Sequence, residues 1–360
     1  MGLDFIRNYG GCRLEQYDLQ SPLLDEPTDD EPEQAPDRVD LNYEVQDRGI
    51  DWQPINVNHS AHWRASNWQE RPVRFVDGKD VGETIAWIRS PAGQPVPIRL
   101  SQIGSISMRV ENGVCRREFD VVERVVSMAV DLFPWTEVES FAAALQENGF
   151  RLLPARPPSP PKGDFSKGDP SYDFEKMRKV ANNRSNTEME VLEEAAIAVS
   201  DREPTIVDGR LSPRTGGFDK DRSPVFGVIK TQRQKYLHTQ GMQVLYQLDI
   251  GQRTPAFTIS RGRLPVVSWY IRLSGGGGAT PSWGIVRVEA SQSWFEARGR
   301  YDWDFVDQLS RTIYEYRCRE RSYDRAAVSL HPIVRSEESL GSLFAPLSIL
   351  TNRFYRLTQL

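Results

Sequence analysis

The stretch that decides the fold is residues 203–214, "EPTIVDGRLSPR", where the β-prone run Thr205, Ile206, Val207 leads straight into Asp208 and Gly209. The same pattern occurs at residues 73–80, "VRFVDGKD", with Asp77 and Gly78 behind another β-prone run. Taken alone, each Asp-Gly pair reads as a turn, because glycine tolerates positive φ and aspartate hydrogen-bonds its own backbone. A turn suits the first pair, since strand-like sequence resumes within a few residues of Asp77. The other reading holds both aspartates at strand ends for chemistry, and it needs further carboxylates that converge on them.

Around these pairs the chain alternates between strand and helix signals. "RPVRFVDG", "ETIAWIRS", "PVPIRLSQIGSISMRVENG" and "VCRREFDVVERVVSM" are β-branched or aromatic runs separated by Gly, Pro and Asn, which predicts an antiparallel meander. "TEVESFAAALQENGF" reads as a short helix with a capping box from Thr136 and Glu139. "LLPARPPSPPKGDFSKGDP" is too rich in proline for a regular element, so 154–170 is an insertion or linker. A long helix over "DFEKMRKVANNRSNTEMEVLEEAAIAVSD" feeds the Asp208 strand. Strands are then predicted at "PVFGVIKTQ", "QVLYQLD", "TPAFTIS", "LPVVSWYIRLS" and "WGIVRVEAS", and a helix at "WDFVDQLSRTIYEYRCRERS". This succession is a mixed α/β fold with a partly antiparallel sheet, not a regular βαβ series.

Composition narrows the class. The 360 residues, 39% of them hydrophobic, suffice for a large core, and no apolar run is long enough to cross a membrane. Cys12, Cys115 and Cys318 are far apart and the four histidines show no ligand spacing, which argues against disulfides and structural zinc and for a reducing cytoplasm. A net charge of -5 excludes a uniformly basic nucleic-acid coat but not a local basic channel. Part of the acidity lies in "LDEPTDDEPEQAPDRVD", which cannot bury enough apolar surface to order itself. We therefore divide the chain into an N-terminal arm, 1–45, and a main domain, 46–360.

The candidate chemistry is acidic. Carboxylates that converge suit magnesium or manganese, hard ions that prefer oxygen ligands. The long helix carries Glu188, Glu190, Glu193 and Glu194 shortly before Asp208, and glutamates on a helix ordinarily face water. Lys230 ends an otherwise apolar strand and is followed by Arg233, Lys235 and Tyr236. It reads either as a charged strand terminus or as a contact to a phosphoryl group.

In order along the chain, "RFVDGKDVGETIAWI", "RSNTEMEVLEEA", "PTIVDGRL", "PVFGVIKTQRQKYL", "VSWYIRL" and "GIVRVE" resemble the NurA nuclease family. The resemblance runs from about Arg71 to the C-terminus. It implies an RNase H-like core, with the mixed sheet flanked by helices and preceded by the N-terminal extension. It also implies a metal-dependent DNA nuclease in which Asp77, Glu190 and Asp208 bind Mn2+ or Mg2+ and Lys230 assists catalysis. Glu188, four residues after Arg184, is the rival to Glu190. Tyr270, Arg272, Arg287 and Glu289 match later strands, where a structural role is at least as good a reading. Arg233, Lys235 and Tyr236 are expected to contact DNA, with the arginines of "RTIYEYRCRERSYDR" and Tyr314 alongside. As partners the family implies a hexameric HerA-type ATPase and a second copy of the chain, in DNA end processing, repair or antiviral defence. One departure stands out. Where the family places a histidine near its end, this chain has His331 before Pro332, and either Glu337 or Glu338 takes that neighbourhood or the feature is absent. A catalytically silent scaffold that binds DNA or the ATPase is the alternative.

Overall fold

A single strand of sixteen residues runs straight through the first Asp-Gly pair. The structure, a computed structural model, describes residues 2–14, 37–57, 68–156, 173–199, 203–217, 223–231, 235–261, 264–275, 280–298, 302–320 and 322–360. In chain order α1 (Phe5–Asn8), β1 (Cys12–Arg13), β2 (Arg38–Asp40), α2 (Tyr43–Arg48) and β3 (Ile55–Asn56) lead to the long strand β4 (Arg74–Arg89). Then come β5 (Pro95–Glu111), β6 (Val114–Ala129), α3 (Trp135–Glu147), β7 (Arg151–Ala155), α4 (Phe174–Ala198), β8 (Thr205–Asp208) and β9 (Val225–Ile229). The remainder is α5 (Thr239–Gln247), β10 (Gln252–Arg253), β11 (Phe257–Arg261), β12 (Leu264–Arg272), β13 (Ile285–Ser291), α6 (Gln292–Ala297), α7 (Trp303–Glu315), α8 (His331–Leu343) and α9 (Leu347–Thr358).

The strands form one mixed sheet in the order β2-β11-β12-β13-β9-β8-β4-β5-β6-β7. Within it, β6-β5-β4 is an antiparallel meander, and β8 and β9 run parallel to β4. That arrangement of five strands, with α4 crossing before the fourth, is an RNase H-like core. The three parallel strands sit in the middle of the sheet, where both faces are covered, and they are apolar on both faces. Phe75, Ile206 and Val228 pack with Phe305 and Leu309 of α7 and Ile333 of α8. Val76 and Val207 point the other way, toward Ala196 of α4 and Leu245 of α5.

One buried guanidinium ties these layers together. Arg74 on β4 is fully buried, and its Nε donates to Glu118 Oε2 at 2.8 Å. Its terminal nitrogens donate to the Ala196 and Ile197 carbonyls at 3.0 and 3.2 Å, to Ser107 Oγ at 3.0 Å and to Thr205 Oγ1 at 3.4 Å. The last carbonyls of a helix lack partners within it, and a cation there also meets the negative end of the dipole. Arg74 thus docks the end of α4 onto the β4–β8 pair. At the other end of α4, Asp173 caps by accepting from the backbone of Glu175 and Lys176.

The structure departs from the sequence reading at several places. Asp77 and Gly78 make no turn, because β4 pairs continuously with β5 through them. "QVLYQLD" lies largely in α5, not in a strand: Gly241, Val244, Leu245 and Leu248 are buried at helical spacing, and His238 Nδ1 caps the Gly241 N–H at 3.0 Å. No capping box forms at Thr136, since α3 begins after Pro134 and Glu139 instead accepts from the Trp135 indole at 2.8 Å. Pro154 lies in a strand after all, at the sheet edge, where a missing donor is tolerated. The helix expected over 303–322 stops at Glu315, and α8 and α9 were not foreseen. The ends of the expected N-terminal arm belong to the fold: Phe5 stacks on Phe141, and β2 pairs with β11. Its acidic centre, 15–36, lies outside the described residues, as does 157–172 of the proline-rich insertion.

Replacing Arg74 by leucine strands Glu118 and the α4 carbonyls, so Arg74→Leu is expected to cost about 3–5 kcal/mol in urea unfolding. Arg7→Leu, at an exposed pair with Asp4, is expected to cost less than about 1 kcal/mol. Equal unfolding midpoints for the two variants would remove Arg74 from this role.

Candidate functional site

The parallel pairing of β4 with β8 matches Arg74 with Thr205, Phe75 with Ile206 and Val76 with Val207. The next residues on the two strands are Asp77 and Asp208. Side chains at matched positions of neighbouring strands share a face, so the two carboxyl groups lie side by side where the pairing ends. Asp208 in turn matches Val228 on β9, and Lys230 follows two residues later on that same face. Its Nζ lies 2.8 Å from Asp208 Oδ2 and 2.7 Å from Glu337 Oε1, the latter on α8. The Tyr323 hydroxyl donates to the other oxygen of Glu337. Asp77 is 5% exposed and the Lys230 side chain 4%.

Both glycines behind the aspartates have a steric reason. A Cβ on Gly78 would run into Met189 Sδ and the Glu193 carboxyl of α4, so only glycine lets that helix ride so low over β4. The Glu193 carboxyl lies against the Gly78 backbone, which opposes part of the upward shift of its pKa. Gly209 adopts φ +119°, a conformation that residues with a Cβ avoid. Its carbonyl would lie 2.6 Å from a Cβ on Gly227, which accounts for the glycine within β9. Beneath this exit, Glu289 Oε2 accepts from the Leu211 N–H at 3.1 Å, and Glu289 Oε1 accepts from Arg287 at 2.5 Å. The buried Arg287–Glu289 pair therefore holds the loop that leaves Asp208.

Crowding of acids dominates the electrostatics. Burial first, then the charges of Asp208 and Glu337, holds the Asp77 carboxyl well above the usual range. Burial also raises Asp208, against the pull of Lys230. Glu193 is pushed up to about 8 by burial, then by Glu190 and Asp208. Burial raises Glu190, with Arg214 opposing. Glu337 goes the other way: burial is outweighed by hydrogen bonds from Lys230 and Tyr323. Burial of Lys230 is likewise outweighed by Asp208 and Glu337, which keep its ammonium protonated.

A cleft of about 440 Å³ opens here, lined among others by Glu190, Glu193, Asp208, Lys230, Tyr236 and Arg325. Of the helix candidates, Glu188 turns away and is held by Arg151 and Arg184, each at 2.7 Å. Glu190 lines the cleft, but Glu193, one turn on, is the glutamate that reaches Gly78 and senses Asp208. Glu193 was legible in principle, because it shares a helix face with Met189 and Ala196, whereas Glu337 needed α8 to be known. Glu338 pairs with Arg335 at 2.6 Å, so Glu337 alone of those two enters the cluster. Tyr236 donates to Asp37 Oδ2 at 3.2 Å, and the Arg287 guanidinium lies 4.8 Å from its ring centre. Lys235 lines an adjoining cleft, and Arg233 lies outside the described residues. Tyr314 lies away from the cleft, with the Arg317 guanidinium 3.9 Å from its ring centre. Among the described residues, no three His, Cys, Asp or Glu side chains are arranged to hold a metal ion.

The Glu193 shift has a stability consequence whose sign is fixed. Folded Glu193 holds its proton up to about 8, whereas the unfolded chain releases it near the ordinary value of 4.5, so stability falls as pH rises between them. In EDTA, Glu193→Gln is expected to raise Tm by roughly 5 °C at pH 9 and by less than about 1 °C at pH 5. A gain that is the same at both pH values would contradict the shift.

No protein-family model matches the chain, and no curated protein matches it. Among solved structures the chain is similar to the crystal structure of the NurA nuclease from Sulfolobus solfataricus, at 13% sequence identity and a TM-score of 0.40, over 82% of this chain and 84% of that one.

Proposed function

We propose that this cleft is the active site of a metal-dependent DNA nuclease of the NurA type. The observation that carries the reading is the register of β4 against β8, which sets Asp77 beside Asp208 with Lys230 on the same face. Glutamates reach the pair from opposite faces of the sheet, Glu193 from α4 and Glu337 from α8. The donor set fits magnesium or manganese in kind, being carboxylate oxygen throughout, and its mutual repulsion favours a divalent cation among the acids. Asp77, Asp208 and a helix glutamate, Glu193 or Glu190, are the residues that would hold it. When bound, such an ion supplies positive charge to the reacting phosphoryl group and eases deprotonation of water.

The chain's own residues divide the remaining work. Lys230 is kept protonated between Asp208 and Glu337, and it meets negative charge that develops on a phosphoryl oxygen. Tyr323 and Lys230 orient Glu337 from two sides. Arg287 and Glu289 fix the backbone behind Asp208, and Arg287, Arg325 and Tyr236 line the route by which a phosphodiester strand approaches. The partnership with a hexameric HerA-type ATPase, the homodimer and a role in end processing or antiviral defence rest on the family resemblance alone.

A second reading, a silent scaffold, draws on one observation: in this structure Lys230 bridges Asp208 and Glu337. Cleavage of linear DNA decides between them. With Mn2+ the wild type is expected to degrade single- and double-stranded DNA, and Asp77→Asn, Asp208→Asn or Lys230→Met to lose roughly 10²–10³-fold in rate. A wild type inert with every divalent ion, even beside its cognate ATPase, would establish the scaffold.

A further inference from the structure

The candidate active-site cleft does not end at Lys230. That residue also lines a second cleft of about 240 Å³, with Lys235, Tyr246 and Tyr270. Tyr246 then opens onto a third, of about 560 Å³, with Ile250, Arg272 and Trp283. The three clefts are neighbours: Lys230 borders the first two and Tyr246 the second and third. Basic side chains line the first two. The third, outer cleft presents aromatic rings: Tyr246 is 44% and Trp283 40% exposed, beside Ile250 at 49%.

The outer cleft is built, not incidental. Arg272 is buried at its floor and donates to the carbonyls of Trp283 at 2.6 Å, Pro281 at 2.8 Å and Tyr246 at 3.4 Å. One guanidinium therefore fixes the two backbone segments that carry the exposed rings. Its Nε is buried without a hydrogen-bond partner.

From this geometry we propose that the outer cleft is a stacking subsite for the unpaired nucleotides of a DNA strand whose scissile phosphate lies at Asp208. The proposal rests on the nuclease reading of the first cleft and names the form of DNA it takes. Exposed aromatic rings bind bases of any sequence through their π-faces, and they do so only where the bases are unstacked from a partner strand. Lys230 and Lys235 supply charge complementary to the phosphates between the first cleft and the third. Asp249 also lines the outer cleft. Its charge repels phosphate there, so the bases and not the backbone face Tyr246 and Trp283.

The test is binding, measured in EDTA so that cleavage plays no part. Fluorescence anisotropy with a labelled oligo-dT is expected to weaken about tenfold for Tyr246→Ala or Trp283→Ala, to recover with Trp283→Phe, and to be unchanged in Arg7→Leu, at the exposed pair with Asp4. A blunt duplex is expected to bind all four variants within about twofold of wild type, since its bases are not free to stack. Folded variants, with Tm held within a few degrees, that bind oligo-dT as wild type would overturn the proposal. So would equal losses for duplex and single strand, or a change in oligomeric state with oligo-dT affinity intact, which would mark an interface between copies. Failure of the nuclease reading shows separately, as aromatic-dependent oligo-dT binding in a protein that cleaves no DNA with any metal.

Discussion

Three matched residue pairs between β4 and β8 are the constraint on which the rest of the site depends. Side chains alternate along a strand, so a slip of one residue would turn Asp77 or Asp208 to the opposite face and separate them. Arg74 helps hold that register, because it is anchored to Thr205 on the facing strand and to the last carbonyls of α4 at once. The same contacts set how far α4 projects over the strands. Gly78 then allows the helix close enough for Glu193 to reach the β4 backbone.

The result is a group of buried acids that destabilise one another. Asp77, Asp208 and Glu193 all hold protons more tightly than free carboxylates do, and Lys230 relieves only part of the repulsion. Such strain is tolerable because the surrounding core is large and the sheet is covered on both faces. Perturbed carboxyls gathered in a cleft are what catalytic sites require, although structural networks perturb pKa values too. The buried Glu44–Arg253–Asp307 group is such a network. There every acid is paired to a guanidinium.

Much of the site could be read from the sequence because local pattern and tertiary role coincide at β8 and β9. "TIVDG" ends its strand at the aspartate, and "VFGVIK" places its lysine two positions beyond the matching residue. The first Asp-Gly pair misleads, since its glycine serves the approach of α4 and not a turn, and nothing within "VDGKD" distinguishes the two. The choice among Glu188, Glu190 and Glu193 turns on a rotation about the helix axis set by packing. Arg151, distant in sequence, is what draws Glu188 away. Glu337 depends on α8, whose polar and small residues carry a weak helix signal until Ile333 and Leu340 are seen to be buried. At "QVLYQLD", β-branched and aromatic content outweighed the helical spacing that tertiary contacts select.

The central claim is that Asp77 and Asp208 jointly hold a divalent ion next to Lys230. Crystals soaked in Mn2+ and measured at the manganese edge test it most directly. The account predicts an anomalous peak within about 2.0–2.6 Å of carboxylate oxygens from both aspartates, with Lys230 withdrawn from Asp208. A fully soaked crystal with no peak there, and Lys230 still bridging Asp208 and Glu337, would contradict it.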